Sequence, residues 1–443
     1  MPRRSTPRLH IPFHEGTFLT FDAIIDAFVR AKSAFNSLSC RVVINHKAEF
    51  LLSLTQSQQD MRIVNDFGYR ILVDDPQLGQ RSYIFSSRTP PEAAFAQVAG
   101  QQSKSPAGAP LKVDPAPMVA PTCVFELEAL AHTQPHLAGV IDYKRLEEQS
   151  VCLDEHGNQT RYDLQASGLR IIYKLSTKST SFASGHGVTW SGDAHTPVQL
   201  QEFAEEWQDS AAFLASPMLT PGLYTCLFNP LVTGFFVHEC VGHLFESDFY
   251  PYAGMFPWQA GAKVAAPCVT IVDDPTIGRP LGYYLFDAEG APARRVVLID
   301  KGRFSETLGR APGCHARSKQ HFDVTRVRMA NTFMEPGDAT LEDLLRLSPD
   351  PCLWIDSVNW GTGINGFKLM VRKAHLLRGG RKTPVRAHLV TSESAACLQR
   401  IRGVSRDFAS NSSIFRGCSK IDQSELPVAC GGAHILIDGL YAL

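Results

Sequence analysis

The N-terminal part of the chain alternates apolar and polar positions in a way that predicts helices and strands together. Thr20 is a suitable N-cap, and apolar residues with helical spacing follow it from residue 21 to residue 35. The proline pair at residues 90–91 indicates the first turn of a second helix. Segments rich in β-branched and apolar residues predict strands over residues 41–44, 49–54, 70–73, 148–153, 159–164 and 168–175.

The pattern of the sequence changes after residue 100. Residues 101–121 contain five prolines and many small residues, which predicts an exposed loop. A helix is predicted over residues 197–213, and after it come short strands over residues 269–272, 296–299, 353–355, 367–371 and 434–437. We therefore expect an α+β fold, with an N-terminal α/β domain over residues 1–205 and a β-rich C-terminal domain over residues 206–443.

Composition narrows the classes of function. Apolar residues make up 44% of the 443 residues and charged residues 20%, which is typical of a globular protein. The chain has 43 Lys and Arg against 44 Asp and Glu, so its formal net charge is −1. Nucleic-acid binders usually carry a basic surplus, and we therefore expect no nucleic-acid partner.

Cysteine usage and apolar runs favour a cytoplasmic protein. The 11 cysteines are odd in number and scattered, unlike those of a secreted disulfide scaffold. The basic start of the chain leads into no apolar signal core. The uncharged stretch over residues 210–237 is interrupted by three prolines, which would break a membrane-spanning helix, so no membrane association is expected.

The sequence H-E-C-V-G-H at residues 238–243 places two histidines and a glutamate in an otherwise apolar run. Burial of these polar side chains is costly unless a partner satisfies them, and a metal ion does so. The alternative is a helix whose two histidines are satisfied by hydrogen bonds. If a metal is bound, Glu239 is positioned next to His238 to act as the general base for the metal's water.

The spacing of the two histidines sets a geometric condition. His238 and His243 are five residues apart, which places them about 140° apart around a regular α-helix. They can reach one ion only if the helix contains a π-type bulge or breaks at Gly242. A catalytic zinc needs a third protein ligand. The residues alone leave this ligand open among Glu246, Asp248, Cys314, His315, Cys418, Cys430 and His434.

Several motifs of the C-terminal half resemble the TldD/PmbA family of zinc peptidases. They are H-E-C-V-G-H at residues 238–243, R-M-A-N-T-F-M-E-P-G at 328–337, N-W-G-T-G at 359–363 and C-S-K-I-D-Q at 418–423. The resemblance covers roughly residues 217–443. Two positions depart from the family's glycines in the C-S-K-I-D-Q segment, and Thr362 replaces the middle glycine of a triplet, so the substrate channel is expected to differ in shape.

The resemblance implies roles for individual residues. His238, His243 and Cys418 would bind one Zn²⁺ per chain, with Glu239 as the catalytic base. Glu246 and Asp248 would contact the ligands rather than the metal. Asn359, Gly361 and Gly363 would contact the substrate, which the family binds as an extended peptide against an edge strand.

The resemblance also implies an activity and a partner. We expect a zinc-dependent hydrolase in which zinc-bound water attacks an amide carbonyl of a peptide or a peptide-like natural-product intermediate. The expected assembly is a dimer, either with a metal-free PmbA/TldE-like subunit or with a second copy. The alternative is a non-catalytic, metal-binding assembly subunit of such a complex. A complete ligand set argues against the metal-free subunit, and His315 and Arg317 remain candidates for stabilising an oxyanion.

Overall fold

The computed structural model describes most of the chain, and several predicted elements lie outside the described part. The described residues are 20–35, 39–55, 58–75, 79–86, 88–100, 124, 138–176, 181–191, 215–248, 259–278, 281–309 and 315–443, with scattered residues between 203 and 214. The predicted loop over residues 101–121 is therefore outside it. The described residues between 203 and 214 are helical up to residue 214, in agreement with the end of the predicted helix. They lie on both sides of the predicted domain boundary at residue 205, which stays a prediction.

Long strands form the N-terminal sheet. In the described part these are β1 (Ser39–Leu54), β2 (Gln59–Asp75), β3 (Gly79–Ser86), β4 (Ala138–Leu153), β5 (Gln159–Ser176) and β6 (Ser181–Ser191). Their order is β3-β2-β1-β4-β5-β6, and every pairing is antiparallel. The α+β class is confirmed, but the N-terminal half lacks the parallel strands of an α/β domain among its described residues.

Two helices cover one face of this sheet. Helix α1 (Phe21–Ala31) begins at Thr20, whose Oγ1 accepts a hydrogen bond from the Ala23 amide at 3.2 Å. Helix α2 (Pro91–Val98) begins at the predicted proline pair. Phe28 of α1 and Phe95 of α2 contact each other, with ring centroids 5.7 Å apart, in a core that also includes Ile44 and Tyr69 of the sheet.

The predicted N-terminal strands were correct in place but too short. Segments 41–44 and 49–54 belong to one continuous strand, β1, and segment 168–175 continues β5. Residues 45–47, between the two predicted segments, are polar. In the structure Lys47 is buried, and its Nζ lies 3.4 Å from the Lys319 carbonyl oxygen. The sheet thus contacts the C-terminal half at Lys47, whereas Asn45 and His46 bond to side chains of the neighbouring strands.

Short strands dominate the C-terminal half. They are β7 (Gly222–Phe228), β8 (Ile271–Asp273), β9 (Val296–Asp300), β10 (Arg303–Phe304), β11 (Ala316–Arg317), β12 (Arg326–Val327), β13 (Asn331–Met334), β14 (Cys352–Thr362), β15 (Phe367–Arg378), β16 (Arg381–Val385), β17 (Leu389–Ser392), β18 (Ile401–Val404), β19 (Ala409–Ser412), β20 (Cys418–Lys420), β21 (Gln423–Leu426), β22 (Ala429–Gly432) and β23 (Ile435–Ala442). The α-helices described here are α3 (Pro230–Val237) and α4 (Leu341–Leu347). The described residues also form two 3₁₀ helices, Lys32–Phe35 and Ala395–Arg400, and a π-helical turn, His238–Gly242. All five strands predicted in this half are present with shifted ends.

Strand pairing encloses helix α3. Five strands form a closed ring. Neighbouring strands pair in the spatial order β14-β7-β23-β17-β15, and β15 pairs with β14 to close the ring. A second sheet has the order β10-β9-β8-β13-β22-β19. Helix α3 contacts strands of both sheets, and its residues Val232, Phe236 and Val237 are fully buried between them. No helix in the described residues is long and apolar enough to cross a membrane.

Candidate metal centre

Helix α3 continues directly into a π-helical turn. The helix begins at Asn229, whose Oδ1 accepts a hydrogen bond from the Val232 amide at 2.9 Å. The π-turn covers His238–Gly242 and is closed by the His243 amide, which donates to the His238 carbonyl at 3.3 Å. This bond to the fifth residue back brings both imidazoles to one side, with ring centroids 5.0 Å apart. The bulge predicted from the spacing is present.

Gly242 allows the π-turn to pack closely against the segment before β13. A Cβ atom at Gly242 would lie 1.8 Å from the Sδ of Met329, which is far inside van der Waals contact. Met329 is itself fully buried. The glycine is therefore required here by the close approach of a neighbour rather than by its own dihedral angles.

Cys418, the first residue of β20, lies beside the two histidines. The ligand atoms of His238, His243 and Cys418 are all within 4.8 Å of one another, and the Cys418 Sγ is 3.3 Å from the Nε2 of His243. All three side chains are buried. The π-turn and the residue that closes it thus supply two imidazoles, and Cys418, 175 positions after His243, supplies a sulfur. The three metal-binding atoms face a common point.

The electrostatics favour a thiolate at this point. Burial alone would raise the pKa of the Cys418 thiol, but the adjacent His243 and His238 rings lower that pKa well below its ordinary value. Burial likewise opposes a charged His243, yet Cys418 and Glu246 raise the pKa of His243 well above its usual range. A thiolate and imidazoles held together in a buried site attract a cation, either protons or a metal ion.

A buried ionic network supports the three ligands. The Nδ1 of His243 is 3.1 Å from the Oε2 of Glu246, and this contact fixes which ring nitrogen faces Cys418. Glu246 also lies 3.0 Å from the Lys420 ammonium and accepts a hydrogen bond from the Met329 amide at 3.0 Å. Burial opposes the ionised form, but His243 and Lys420 lower the pKa of Glu246 to about 2.

Asp248 and Arg328 extend this network to the backbone around Cys418. Asp248 pairs with Lys420 and accepts a hydrogen bond from the Val327 amide at 3.1 Å. The fully buried Arg328 guanidinium donates to the Cys418 carbonyl at 2.6 Å and lies 3.8 Å from Glu246. The expected contact between Glu246 and a ligand is present, whereas Asp248 acts through Lys420.

Glu239 lies in the π-turn, against the end of strand β14. It is buried, and burial raises the pKa of its carboxyl group. A Cβ atom at Gly361 would lie 2.7 Å from the Glu239 Cγ, and one at Gly363 would lie 2.8 Å from the Glu239 carbonyl oxygen. These two glycines, predicted to contact substrate, therefore also make room for the glutamate. Asn359 lies two residues before Gly361 in the same strand.

Among the other candidates for the third ligand, Cys430 lies near the site, since burial and the charges of Glu239 and Cys418 raise the pKa of its thiol, but its sulfur is not in the cluster of ligand atoms. The two distant histidines have different neighbours. His315 is buried with its Nε2 2.9 Å from Asp273, and the Nδ1 of His434 contacts Asp407. Cys314 lies outside the described residues. Arg317, considered for oxyanion stabilisation, donates to the backbone carbonyls of Met329 and Pro427. Cys240, which lies between the two histidines in the sequence, has its Sγ 3.9 Å from the Sγ of Cys397.

The donor set fits zinc. Two imidazole nitrogens and a thiolate are typical zinc ligands, and three protein ligands are the usual number at a catalytic zinc. Sequence reasoning assigned no role to Lys420 and Arg328, although both stand in the quoted motifs. Lysine and arginine are usually exposed, so their residue types predict a surface position. The one sequence feature that indicated otherwise is that they lie next to Met329 and near Cys418 within the quoted motifs.

Comparison with known proteins gives this geometry a context. The family model described as the PmbA/TldA metallopeptidase C-terminal domain matches residues 221–442, half of the chain. The chain belongs to the TldD/PmbA family. A protein named metalloprotease from Methanothermobacter thermautotrophicus is 28% identical over 340 residues, which cover 70% of this chain and 72% of that protein. The matched family is thus of the metallopeptidase type.

Two further comparisons cover different parts of the chain. A zinc metalloprotease TldD homolog from Saccharolobus solfataricus is 28% identical over 233 residues, or 49% of this chain and 51% of that protein. The crystal structure of TldE from Thermococcus kodakarensis superimposes with a TM-score of 0.70 at 14% identity, over 95% of this chain and all of that one. At this identity the likeness shows a shared fold and nothing more.

Proposed function

We propose that this chain is a zinc-dependent peptidase that hydrolyses amide bonds of peptides or of a peptide-like natural-product intermediate. The observation that carries the proposal is the convergence of His238, His243 and Cys418 next to a buried glutamate. Zinc held by these three ligands supplies Lewis acidity toward the scissile carbonyl and the attacking water. A structural zinc usually has four protein ligands, so a set of three favours catalysis over a purely structural role.

Glu239 is the proposed general base. Its carboxylate takes a proton from the attacking water and delivers it to the nitrogen of the departing amine. Burial raises the pKa of Glu239, which makes the carboxylate a stronger base than an exposed one. Because Gly361 has no Cβ atom, the Glu239 side chain can lie close to the end of β14, where the peptide is proposed to lie.

Strand β14 is the proposed platform for the peptide backbone. It pairs with β7 only over residues Leu353–Ile355, whereas it pairs with β15 along its whole length. In the described part of the chain no strand pairs with β14 on the β7 side beyond Ile355. A peptide added at this edge gains affinity from backbone hydrogen bonds, with little selectivity for side chains.

Substitution of Glu239 by glutamine tests the catalytic role. We expect Glu239→Gln to keep about one zinc per chain and to lower peptide hydrolysis by roughly 10²–10⁴-fold, as loss of a general base does. Metal analysis and a hydrolysis assay on the same samples measure both. Glu306→Gln, which changes an exposed glutamate paired with Arg294, is the matched control and should keep full activity. Equal activity in Glu239→Gln and the control would remove Glu239 from the mechanism.

The second candidate function is a metal-binding assembly subunit without its own activity. It predicts that zinc is present but that wild type hydrolyses no peptide, either alone or with a TldE-like partner added. The proposed dimer, with such a partner or with a second copy, is checked by a mass measurement on the assayed sample. Zinc-containing wild-type protein that stays inactive in both forms would favour this second candidate.

A further inference from the structure

An exposed arginine lies at the free edge of β14, close to the proposed base. Arg416 precedes Cys418 by two residues, and its Nη1 donates a hydrogen bond to the Asn359 carbonyl at 3.2 Å. Asn359 falls at an irregularity of the β14–β15 ladder, between Val358, which pairs with Val371, and Trp360, which pairs with Met370. The carbonyl of this unpaired position is therefore free to accept from Arg416.

Distances along β14 place Arg416 within reach of a bound substrate. Gly361, two residues beyond Asn359, approaches Glu239 closely. An extended strand rises about 3.3 Å per residue, so the Arg416 contact lies about 7 Å along the strand from the proposed base. A peptide paired with this edge would place a group two or three residues from its scissile bond beside the guanidinium.

The charge of Arg416 has no balancing carboxylate in the described structure. No Asp or Glu side chain among the described residues forms an ion pair with it, and the neighbouring charge is another cation, Arg170. Arg170 is itself paired with Asp142 at 2.5 Å. Arg326 of β12 is likewise paired with a carboxylate, that of Asp422 at 2.8 Å.

We propose that Arg416 binds a carboxylate of the substrate and so selects peptides that carry a negative charge near the scissile bond. This inference rests on the proposed function, because it assigns a substrate class to the same site. A guanidinium binds a carboxylate through two parallel hydrogen bonds, which makes an unpaired arginine at this position suited to an anionic group. The carboxylate is either the C-terminus of the peptide or an Asp or Glu side chain.

Peptide binding to the Glu239→Gln protein tests the proposal without relying on turnover. The probes are fluorescent peptides of one sequence in four forms, with Glu or Gln at the tested positions and a free or amidated C-terminus. We expect the form with the matching carboxylate to bind about 10–100-fold more tightly than its neutral counterpart, as a charge-assisted pair does. The four forms distinguish a side-chain carboxylate from a C-terminal one.

Variants of Arg416 in the same background identify the group responsible. Arg416→Ala should reduce the acidic-to-neutral affinity ratio to about one, Arg416→Lys should restore part of it, and Arg416→Glu should invert it. The control Arg381→Ala removes an exposed charge at the β15–β16 turn, about 30 Å along β15 from Leu369, the partner of Gly361. It should keep the wild-type ratio.

Three outcomes would overturn the proposal: no preference for acidic peptides in the parent, the same preference in Arg416→Ala, or no binding of any probe. If Arg416 only stabilises the irregular part of β14, Arg416→Ala lowers the melting temperature and leaves the affinity ratio unchanged. Failure of the proposed function gives a different result. Hydrolysis that persists in Glu239→Gln would reject the general base, even where an Arg416-dependent preference for acidic peptides is measured.

Discussion

The N-terminal sheet and the metal centre bury charged groups in opposite ways. In the sheet, Lys47 and Arg170 lie on long regular strands and each pairs with one carboxylate at the side of the strand. Lys47 lies 3.4 Å from Glu49, which also pairs with Lys144, and Arg170 lies 2.5 Å from Asp142. In the metal centre, Glu246 and Lys420 are almost completely buried in a network that shares partners. The sheet is thus held by many repeated contacts, each of small effect. The centre depends on a few contacts that cannot be replaced one at a time.

Removal of the thiolate should have the largest effect on the centre. We expect Cys418→Ala to lower zinc affinity by several orders of magnitude, since it removes one of three protein ligands and the negative charge of the set. Competition with a chelator measures the affinity. Cys240→Ala is the matched control, because Cys240 is a buried cysteine of the same core that faces Cys397. Equal zinc affinity in the two variants would reject Cys418 as a ligand.

Neutralisation of Glu246 should have the next largest effect. Glu246→Gln leaves the buried Lys420 and Arg328 short of a carboxylate, so the free energy of unfolding should fall by about 3–5 kcal/mol. Zinc affinity should fall by about 10–100-fold, as when the partner of a ligand histidine is lost. Chemical denaturation and chelator competition measure the two effects. The exposed Glu306→Gln control should lose no more than about 1 kcal/mol, and a similar loss in both variants would contradict the network.

The pH dependence of the metal-free protein sharpens the same comparison. The pKa of Glu246 is lowered to about 2 by folding, from an ordinary value near 4.3. A lowered pKa stabilises the folded state above the ordinary value, and this contribution is lost as pH falls through the folded value. Denaturation of wild type and Glu246→Gln should therefore give the largest difference above pH 4.3, with convergence toward pH 2. A constant difference over this range would contradict the assignment.

A single contact of the sheet should have the smallest effect. The buried Tyr69 hydroxyl donates to the Thr89 carbonyl at 3.0 Å. Tyr69→Phe keeps the ring and leaves that acceptor unpaired, so the free energy of unfolding should fall by about 1 kcal/mol. Zinc content and peptide hydrolysis should not change. A loss of zinc in this variant would show that the sheet and the centre are coupled, against the contrast drawn here.

The sequence predicted the regular parts of the fold by their periodicity. Apolar spacing found α1, and the proline pair found α2. The predicted segments divided β1 in two, whereas the strand continues through Lys47, which the C-terminal half covers. Contacts between distant segments leave no local pattern, so neither this cover nor the order of the six strands was predicted, although the turn at residues 155–158 predicted the antiparallel pair β4–β5.

In the candidate site, too, the sequence predicted the local geometry but not the contacts between distant segments. The five-residue spacing of His238 and His243 required a bulge, and the π-turn supplies it. Cys418 came from the family resemblance, because no local spacing links it to residues so far away in the sequence. The buried positions of Lys420 and Arg328 were missed since a charge normally indicates exposure. Only the tertiary contacts explain why these two cations are buried.

X-ray absorption at the zinc edge tests the central claim most directly, on protein that contains one equivalent of zinc. The account predicts two nitrogen ligands at about 2.0–2.1 Å, one sulfur at about 2.3 Å and one lighter oxygen ligand from solvent. The sulfur contribution should disappear in Cys418→Ala. A spectrum of the wild-type protein without sulfur, or with four protein ligands and no solvent, would contradict the proposed catalytic centre.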